Sequence, residues 1–476
     1  MQNENGCIIK KPLTYLRDEI PASALLLWAT ALLLFAGMVF FFWPGVGTYE
    51  VLQFAQQRKL PVMNDWKSPF VAGIYWLADD VFKSTGPVLL AQQALFWSGL
   101  ALLVLNTFKG AYSRILFFLL VAILPAIWIT EILLWKEAWT LSCLSFSIGA
   151  TCAYLRNGRT LYAIAAILAA IILATTRHNA ILLTFPTFYV AARKFADHIT
   201  KTTKKQRHGI LTAAFIILMV LALGFSWMVN KKGTQHCHIW HQILLWDLAA
   251  ISLLEERMLV PETFRKAGEA GSLDQVRSHF TYYNSDPLFF YDRSPLKLYG
   301  TAWSGCYDTP PLDVLLESWF KTVFNHPGAY LHHRLQYLSH LLNIPDVSLD
   351  KFGKAYYRID SEFTPAANRS KLFERLKKSP IYEALVRGIP IRGGVYPLVF
   401  FLAVLGLPRG VSIDKAYLWM LWFGGGFYFL SFVIIGSGAL LRYLSVYGLL
   451  GPAILAGRWG RLRQQQNPEQ DANEEG

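Results

Sequence analysis

Charged residues make up only 16% of the 476 residues and hydrophobic ones 54%. That balance excludes an ordinary soluble globular domain, in which about a quarter of residues are charged. The net charge of +13 would suit nucleic acid, but the basic residues stand in small groups between apolar runs, where they set membrane orientation; phosphorylated membrane lipid is the expected anionic partner, and nucleic acid is not.

Lys10, Lys11 and Arg17 lie in a segment, 1–21, that precedes the first apolar run, 22–43. This run is too long for a cleavable signal and leads into Pro44-Gly45 rather than a small-residue cleavage site. The loop that follows, to Pro69, carries two carboxylates, Glu50 and Asp65. Glu50 opens an amphipathic stretch just past a tight turn and is either a solvated loop carboxylate or a site residue. Asp65 is a second candidate, or else a cap for the helix expected over 69–82.

Further spans are expected over 86–106, 114–130, 138–155, 160–176, 179–192 and 209–229, then over 392–407, 416–435 and 439–457. The stretch 160–192 would be roughly 50 Å long as one helix, against a hydrocarbon core of about 30 Å. Basic groups bound it at both ends, so it should cross twice and break at Arg177-His178-Asn179; the second crossing is short and contains Pro186, so a tilted, a kinked and a re-entrant segment are all open. Counted this way, Lys109 and Arg114, Arg156 and Arg159, Arg193 to Arg207, Arg409 and Lys415, and Arg458 to Arg463 all fall on the side of the N-terminus. The rule that cytoplasmic loops are enriched in Lys and Arg makes that side the cytoplasm and puts both termini there.

The expected fold is therefore an all-α polytopic membrane protein of about ten transmembrane helices with a mainly helical extracytoplasmic domain. Its parts are a transmembrane module over 22–229, with an outer loop at 44–69, the outer domain over 230–391, a second transmembrane module over 392–457 and a cytoplasmic tail over 458–476. Within the outer domain, apolar periodicity predicts helices at 239–254, 311–324 and 328–343. The tail turns polar from Gln464 and is expected to be disordered.

The same count gathers Glu50, Asp65, Lys136, Glu137, Arg177, His178 and Arg442 at the outer face. Lys136-Glu137, between Trp135 and Trp139, reads either as an interfacial anchor or as a site pair. Arg177-His178 and Arg442 read as span-end groups that snorkel, or as phosphate ligands, since a guanidinium fork binds two oxygens. His236, His238 and His241 match no strong zinc spacing, and no metal is assigned to them. Cys237 and Cys306 share the oxidising side and are expected to form a disulfide.

In this order the motifs resemble the GT-C superfamily of polytopic glycosyltransferases, in particular bacterial members that use polyprenyl-phosphate sugars. The resemblance rests on Pro44-Gly45 with Glu50 and Gln53, on Lys136-Glu137, on Arg177-His178-Asn179, on Trp319 with Asn325-His326-Pro327, Tyr330 and Arg334, and on Arg442-Tyr443. Glu50 and Glu137 stand where the family tends to have Asp, and reach one methylene farther. The resemblance implies transfer of a sugar from a polyprenyl-phosphate donor to a glycan, lipid or protein acceptor in the cell envelope, at the outer face of a bacterial inner membrane. It implies Glu50 as general base, with Asp65 as rival, and Lys136, Arg177, His178, Arg334 and Arg442 as the donor-phosphate set. Glu137 would position the acceptor, orient Lys136 or hold a divalent cation; no other cofactor is implied. The alternative is a transporter or flippase of lipid-linked glycans.

Overall fold

The computed structural model describes residues 22–45, 49–108, 110–199, 203–290, 293–299, 311–342, 393–403, 405, 413–436 and 443–466. All regular structure among them is helical, with only two isolated bridges, Asn64 with Gln235 and Arg265 with Leu296. The first module holds α1 (Ala22–Phe42), α2 (Tyr49–Lys59), α3 (Pro69–Phe82), α4 (Gly86–Thr107), α5 (Ala111–Ala122), α6 (Pro125–Ile132), α7 (Lys136–Asn157), α8 (Thr160–Thr176), α9 (Phe185–Ile199) and α10 (Lys204–Asn230). The polar region holds α11 (Trp240–Leu254), α12 (Leu273–His279), α13 (Leu312–Asn325) and α14 (Pro327–Leu342). After it come α15 (Val395–Ala403), α16 (Ile413–Ile435) and α17 (Ser445–Gln466).

Helices α1, α4, α7, α10 and α16 are long and apolar enough to cross a membrane, and the pair α5–α6 makes a sixth if counted as one span. This pair bends by 62° where Pro125 opens α6, so the continuous span expected over 114–130 is broken. Proline at that position needs no N–H, because a first-turn amide has no partner inside the helix. α8, α11 and the stretch Ser445–Gly457 are apolar but shorter. The crossing expected over 179–192 is a 3₁₀ turn, Ala180–Thr184, followed by α9, and Pro186 sits in the first turn of α9. The tail does not turn irregular at Gln464; α17 continues to Gln466. Outward-facing α10 residues such as Ile217, Val220 and Leu221 are more than half exposed. Surfaces that apolar mark contact with membrane.

Polar contacts fix which helix ends lie together. At one end of the bundle Arg114 reaches Ser23 Oγ (2.8 Å) and Arg156 donates to the Leu105 carbonyl (2.9 Å). At the other, Thr85 Oγ1 donates to the Pro44 carbonyl (3.0 Å) and Asn179 Nδ2 to Ser431 Oγ (2.8 Å). α4 and α7 approach closely at Gly99 and Gly149, where an added Cβ on either would overlap the other helix's backbone. Ser145 Oγ fastens the same contact by donating to the Phe96 carbonyl at 3.0 Å. Small residues let backbones meet in this way, and packing with such hydrogen bonds is what holds helices together where no water drives association.

Candidate active site

The second end of the bundle collects the starts of α2, α4 and α7 and the ends of α1, α8, α10 and α16. Helix direction then sorts the charges. Glu50 and Glu137 occupy the first turns of α2 and α7, where the positive end of the helix dipole favours an anion. Arg177 and Lys231 follow α8 and α10 directly, where the negative end favours a cation.

Glu50 is 4% exposed and accepts a hydrogen bond from Lys67 Nζ at 3.1 Å. Glu137, 2% exposed, pairs with the Arg177 guanidinium. That guanidinium lies 5.2 Å from the Phe432 ring centroid and 4.8 Å from that of Tyr443, so it rests against the pair of rings that α16 and the approach to α17 stack on each other. Tyr75, fully buried on α3, lies within the fields of both Glu50 and Glu137.

Lys136 is half-buried and within electrostatic range of Lys67, Glu50, Arg177 and Glu137. Its ammonium makes no hydrogen bond or ion pair among the described residues. An ammonium group crowded by carboxylates yet bonded to none of them is available to an anion.

Asp65 does not cap α3. Ser68 does so, its Oγ accepting from the Val71 amide at 3.3 Å. Asp65 is instead a clasp between the first loop and the chain after α10. It accepts from the Cys237 amide (2.7 Å), pairs with Lys231 and lies 3.2 Å from His236 Nδ1. Burial pushes its pKa up, but the Cys237 amide, Lys231 and His236 together hold it below the usual carboxylate value. With these partners Asp65 is a poorer base than its place in the loop suggests.

His178 is reached by solvent but crowded by protein. That crowding and the cations Lys231, Lys136 and Arg177 bring its pKa down to about 4, against the pull of Asp65. It is a neutral imidazole at ordinary pH and not an anion-binding charge. The same list of neighbours joins the Asp65–Lys231 clasp to Lys136 and Arg177 in one electrostatic cluster.

Arg334 stands in a second cluster. Its Nη2 donates to Asp247 Oδ2 at 2.8 Å and lies 2.7 Å from Oδ1, and its Nη1 donates to the Gly436 carbonyl at 3.0 Å. Trp319 Nε1 also donates to Asp247, at 3.0 Å, and His333 Nε2 lies 3.3 Å from it. Tyr337 lies within the fields of both Arg334 and Arg177, so the two clusters adjoin. The three histidines do not converge: His236 faces Asp65, whereas His241 Nδ1 lies 2.6 Å from the His238 carbonyl. Cys237 is disulfide-bonded. Cys306 and Arg442 lie outside the described residues.

The sequence reading missed Lys67, Lys231, Asp247 and Glu131. Lys67 is two residues from Asp65 and Lys231 directly follows a span, so proximity could have flagged both. Asp247 is the one charge in an apolar helix, itself a sign of a buried pair. Glu131 is fully buried in α6, where Ser142 Oγ lies 3.0 Å from each carboxylate oxygen.

The geometry offers a buried carboxylate beside a lysine, a second carboxylate that orients an arginine, and an ammonium in range of both that is unpaired among the described residues. That arrangement suits proton removal from a hydroxyl next to stabilisation of a departing anion. No family model, curated protein or solved structure matches the chain.

Proposed function

We propose that the chain is a polytopic membrane glycosyltransferase of the GT-C type, which moves a sugar from a polyprenyl-phosphate donor to an acceptor hydroxyl of the cell envelope. The observation that carries this reading is the gathering of Glu50 from α2, Lys67 from the loop before α3, Lys136 and Glu137 from the start of α7 and Arg177 from the end of α8 at one end of the bundle. Charges near membrane depth cost about 2.5–3.5 kcal/mol each at the centre on insertion scales, so a convergent group calls for a function.

In this reading the chain crosses ten times, both termini are cytoplasmic in a bacterial inner membrane, and the cluster faces outward. The bent pair over 111–132, two crossings over 160–199, the short helix over 395–403 and α17 then complete the count. The donor's isoprenoid chain stays in the bilayer and its phosphate reaches the cluster. Glu50 takes the proton of the acceptor hydroxyl as the acceptor oxygen bonds to the anomeric carbon. The bond from that carbon to the phosphate oxygen breaks, and the phosphate leaves as an anion. Lys136 and Arg177 meet the charge that develops on it, with Arg442 as a further candidate. Glu137 holds Arg177 in position. Direct displacement inverts the anomeric carbon.

Glu131, buried and among the described residues partnered only by the Ser142 hydroxyl, is the observation closest to the alternative, a transporter or flippase that carries charge through the membrane. The experiment that separates the two is envelope-glycan profiling of a deletion strain complemented with wild type, Glu50→Gln or Glu131→Gln. The transferase reading expects loss of one sugar on deletion, no rescue by Glu50→Gln at normal protein level, and rescue by Glu131→Gln. An unchanged glycan on deletion refutes it; rescue by Glu50→Gln removes Glu50 from the base role.

A further inference from the structure

α13 and α14 carry their polarity the wrong way round for helices in water. The buried residues of α14 include His333, Arg334 and Tyr337, whereas Leu331 and Leu335 are 57% and 54% exposed. On α13, Leu316, Phe320 and Phe324 are exposed, the last at 79%. These residues are spaced four apart, so each set forms a stripe along one helix face. A helix at an aqueous surface turns its apolar stripe inward and its charges outward. Here the charge of Arg334 is drawn inward by Asp247 and the Gly436 carbonyl, and the apolar stripe is left outside.

Two observations identify the surroundings as lipid. The first is continuity with a membrane-length helix. Arg334 binds α14 to the end of α16, and an added Cβ on Gly436 would overlap the Tyr337 hydroxyl. The last turn of α16 exposes Ile434 and Ile435, immediately before the Gly436 carbonyl to which Arg334 ties α14. The second is the charge pattern of α13. Asp313, Glu317 and Lys321, also spaced four apart and exposed, flank its apolar stripe. A stripe of Leu and Phe beside a charged edge is the composition of a helix that lies in the membrane interface.

We propose that the α13–α14 hairpin is an interfacial element, with Leu316, Phe320, Phe324, Leu331 and Leu335 dipped among the acyl chains of the leaflet nearest the candidate site. The α13–α14 part of the region between α10 and α15 is then seated in lipid on that side and not held in water. This proposal stands whether or not the chain is a transferase.

The test uses the full chain in nanodiscs of phosphatidylcholine, plain or brominated on the acyl chains. A dansyl amino acid replaces Phe324, Leu331 or Leu335, one at a time, with exposed Asp274 of α12 as the control. The expected result is at least twofold quenching by brominated lipid at the first three positions and none at Asp274. Blue-shifted emission that brominated lipid does not quench would mean a protein cover, and emission quenched by aqueous iodide would mean water; either overturns the proposal. Hydroxyl-radical footprinting of the unsubstituted chain in plain nanodiscs avoids any folding defect. Phe320 and Phe324 should be protected relative to exposed Tyr283, and equal oxidation overturns the proposal.

Discussion

Asp65→Ala should destabilise the protein more than Asp65→Asn, because the two substitutions remove different parts of one clasp. The asparagine keeps an acceptor for the Cys237 amide but removes the charge that Lys231 faces. Breaking a fully buried pair costs about 3–5 kcal/mol. Lys231 is 30% exposed, so water recovers part of that and about 2 kcal/mol is expected for Asp65→Asn. The alanine also leaves a buried amide without its acceptor, which adds about 1–3 kcal/mol. Lys231→Met should cost about as much as Asp65→Asn, and the double variant Asp65→Asn/Lys231→Met less than their sum, since neither charge is then stranded. Thermal unfolding of purified protein in detergent, at one fixed scan rate, measures this, with Asp65→Ala expected several degrees below wild type. The pH dependence has a defined sign. The folded pKa lies below the unfolded value of 3.8, so the charge's contribution is full above that value and lost as pH falls through the folded pKa. The gap between wild type and Asp65→Asn should therefore be constant from neutral pH to about 5, closing only below about 4. An Asp65→Ala protein that melts with wild type, or single costs that add in full, would refute the clasp.

Lys136→Met should lower transfer about 10- to 100-fold while leaving the melting temperature unchanged or raised, because it removes a crowded cation that has no ion-pair partner among the described residues; a melting loss of several degrees would show a structural role instead. Arg177→Lys should cost about 100-fold in transfer despite keeping the charge, since Lys lacks the planar fork that pairs with Glu137 while resting against the stacked Phe432 and Tyr443 rings; near-normal transfer would exclude the planar role. The fall of His178 to a pKa of about 4 means its charge does not change at neutral pH, so His178→Asn should leave the shape of the rate–pH profile between pH 6 and 8 as in wild type. Its neutral form favours folding, so the stability gap in favour of wild type should narrow as pH falls from about 6.5 toward 4. Gly149→Ala should destabilise by about 3 kcal/mol or more, read as loss of monodisperse protein, because its Cβ meets the α4 backbone and not a movable side chain.

Much of the helix layout was readable because it depends on local pattern. The apolar periods at 239–254, 311–324 and 328–343 fall within two residues of α11, α13 and α14, and the break at Asn325-His326-Pro327 separates the last two. The break at Arg177-His178-Asn179 was readable from its basic flanks, and α8 ends at Thr176. Alternation of span ends placed Lys136-Glu137 beside Arg177, which the ion pair between Glu137 and Arg177 matches. The pairings inside the site were not readable, since Lys231 with Asp65 and Arg334 with Asp247 join residues 166 and 87 positions apart. Arg334 shows the limit most clearly. Its motif suggested a phosphate ligand, whereas the fold directs its guanidinium to Asp247 and Gly436. Only packing decides whether an arginine faces a ligand or another element of its own chain.

The Asp65 clasp also bears on how the chain is made. Synthesis runs from the N-terminus at roughly 5–20 residues per second, so Lys231, 166 residues later, follows Asp65 by about 8–33 s. During that interval α2 and α3 are already out, but the carboxylate that must anchor them has neither its lysine nor its amide partner. A nascent chain stalled before α10 emerges would hold the Glu50 loop untethered, and any quality-control factor that recognises unpaired acidic loops would have that interval in which to act.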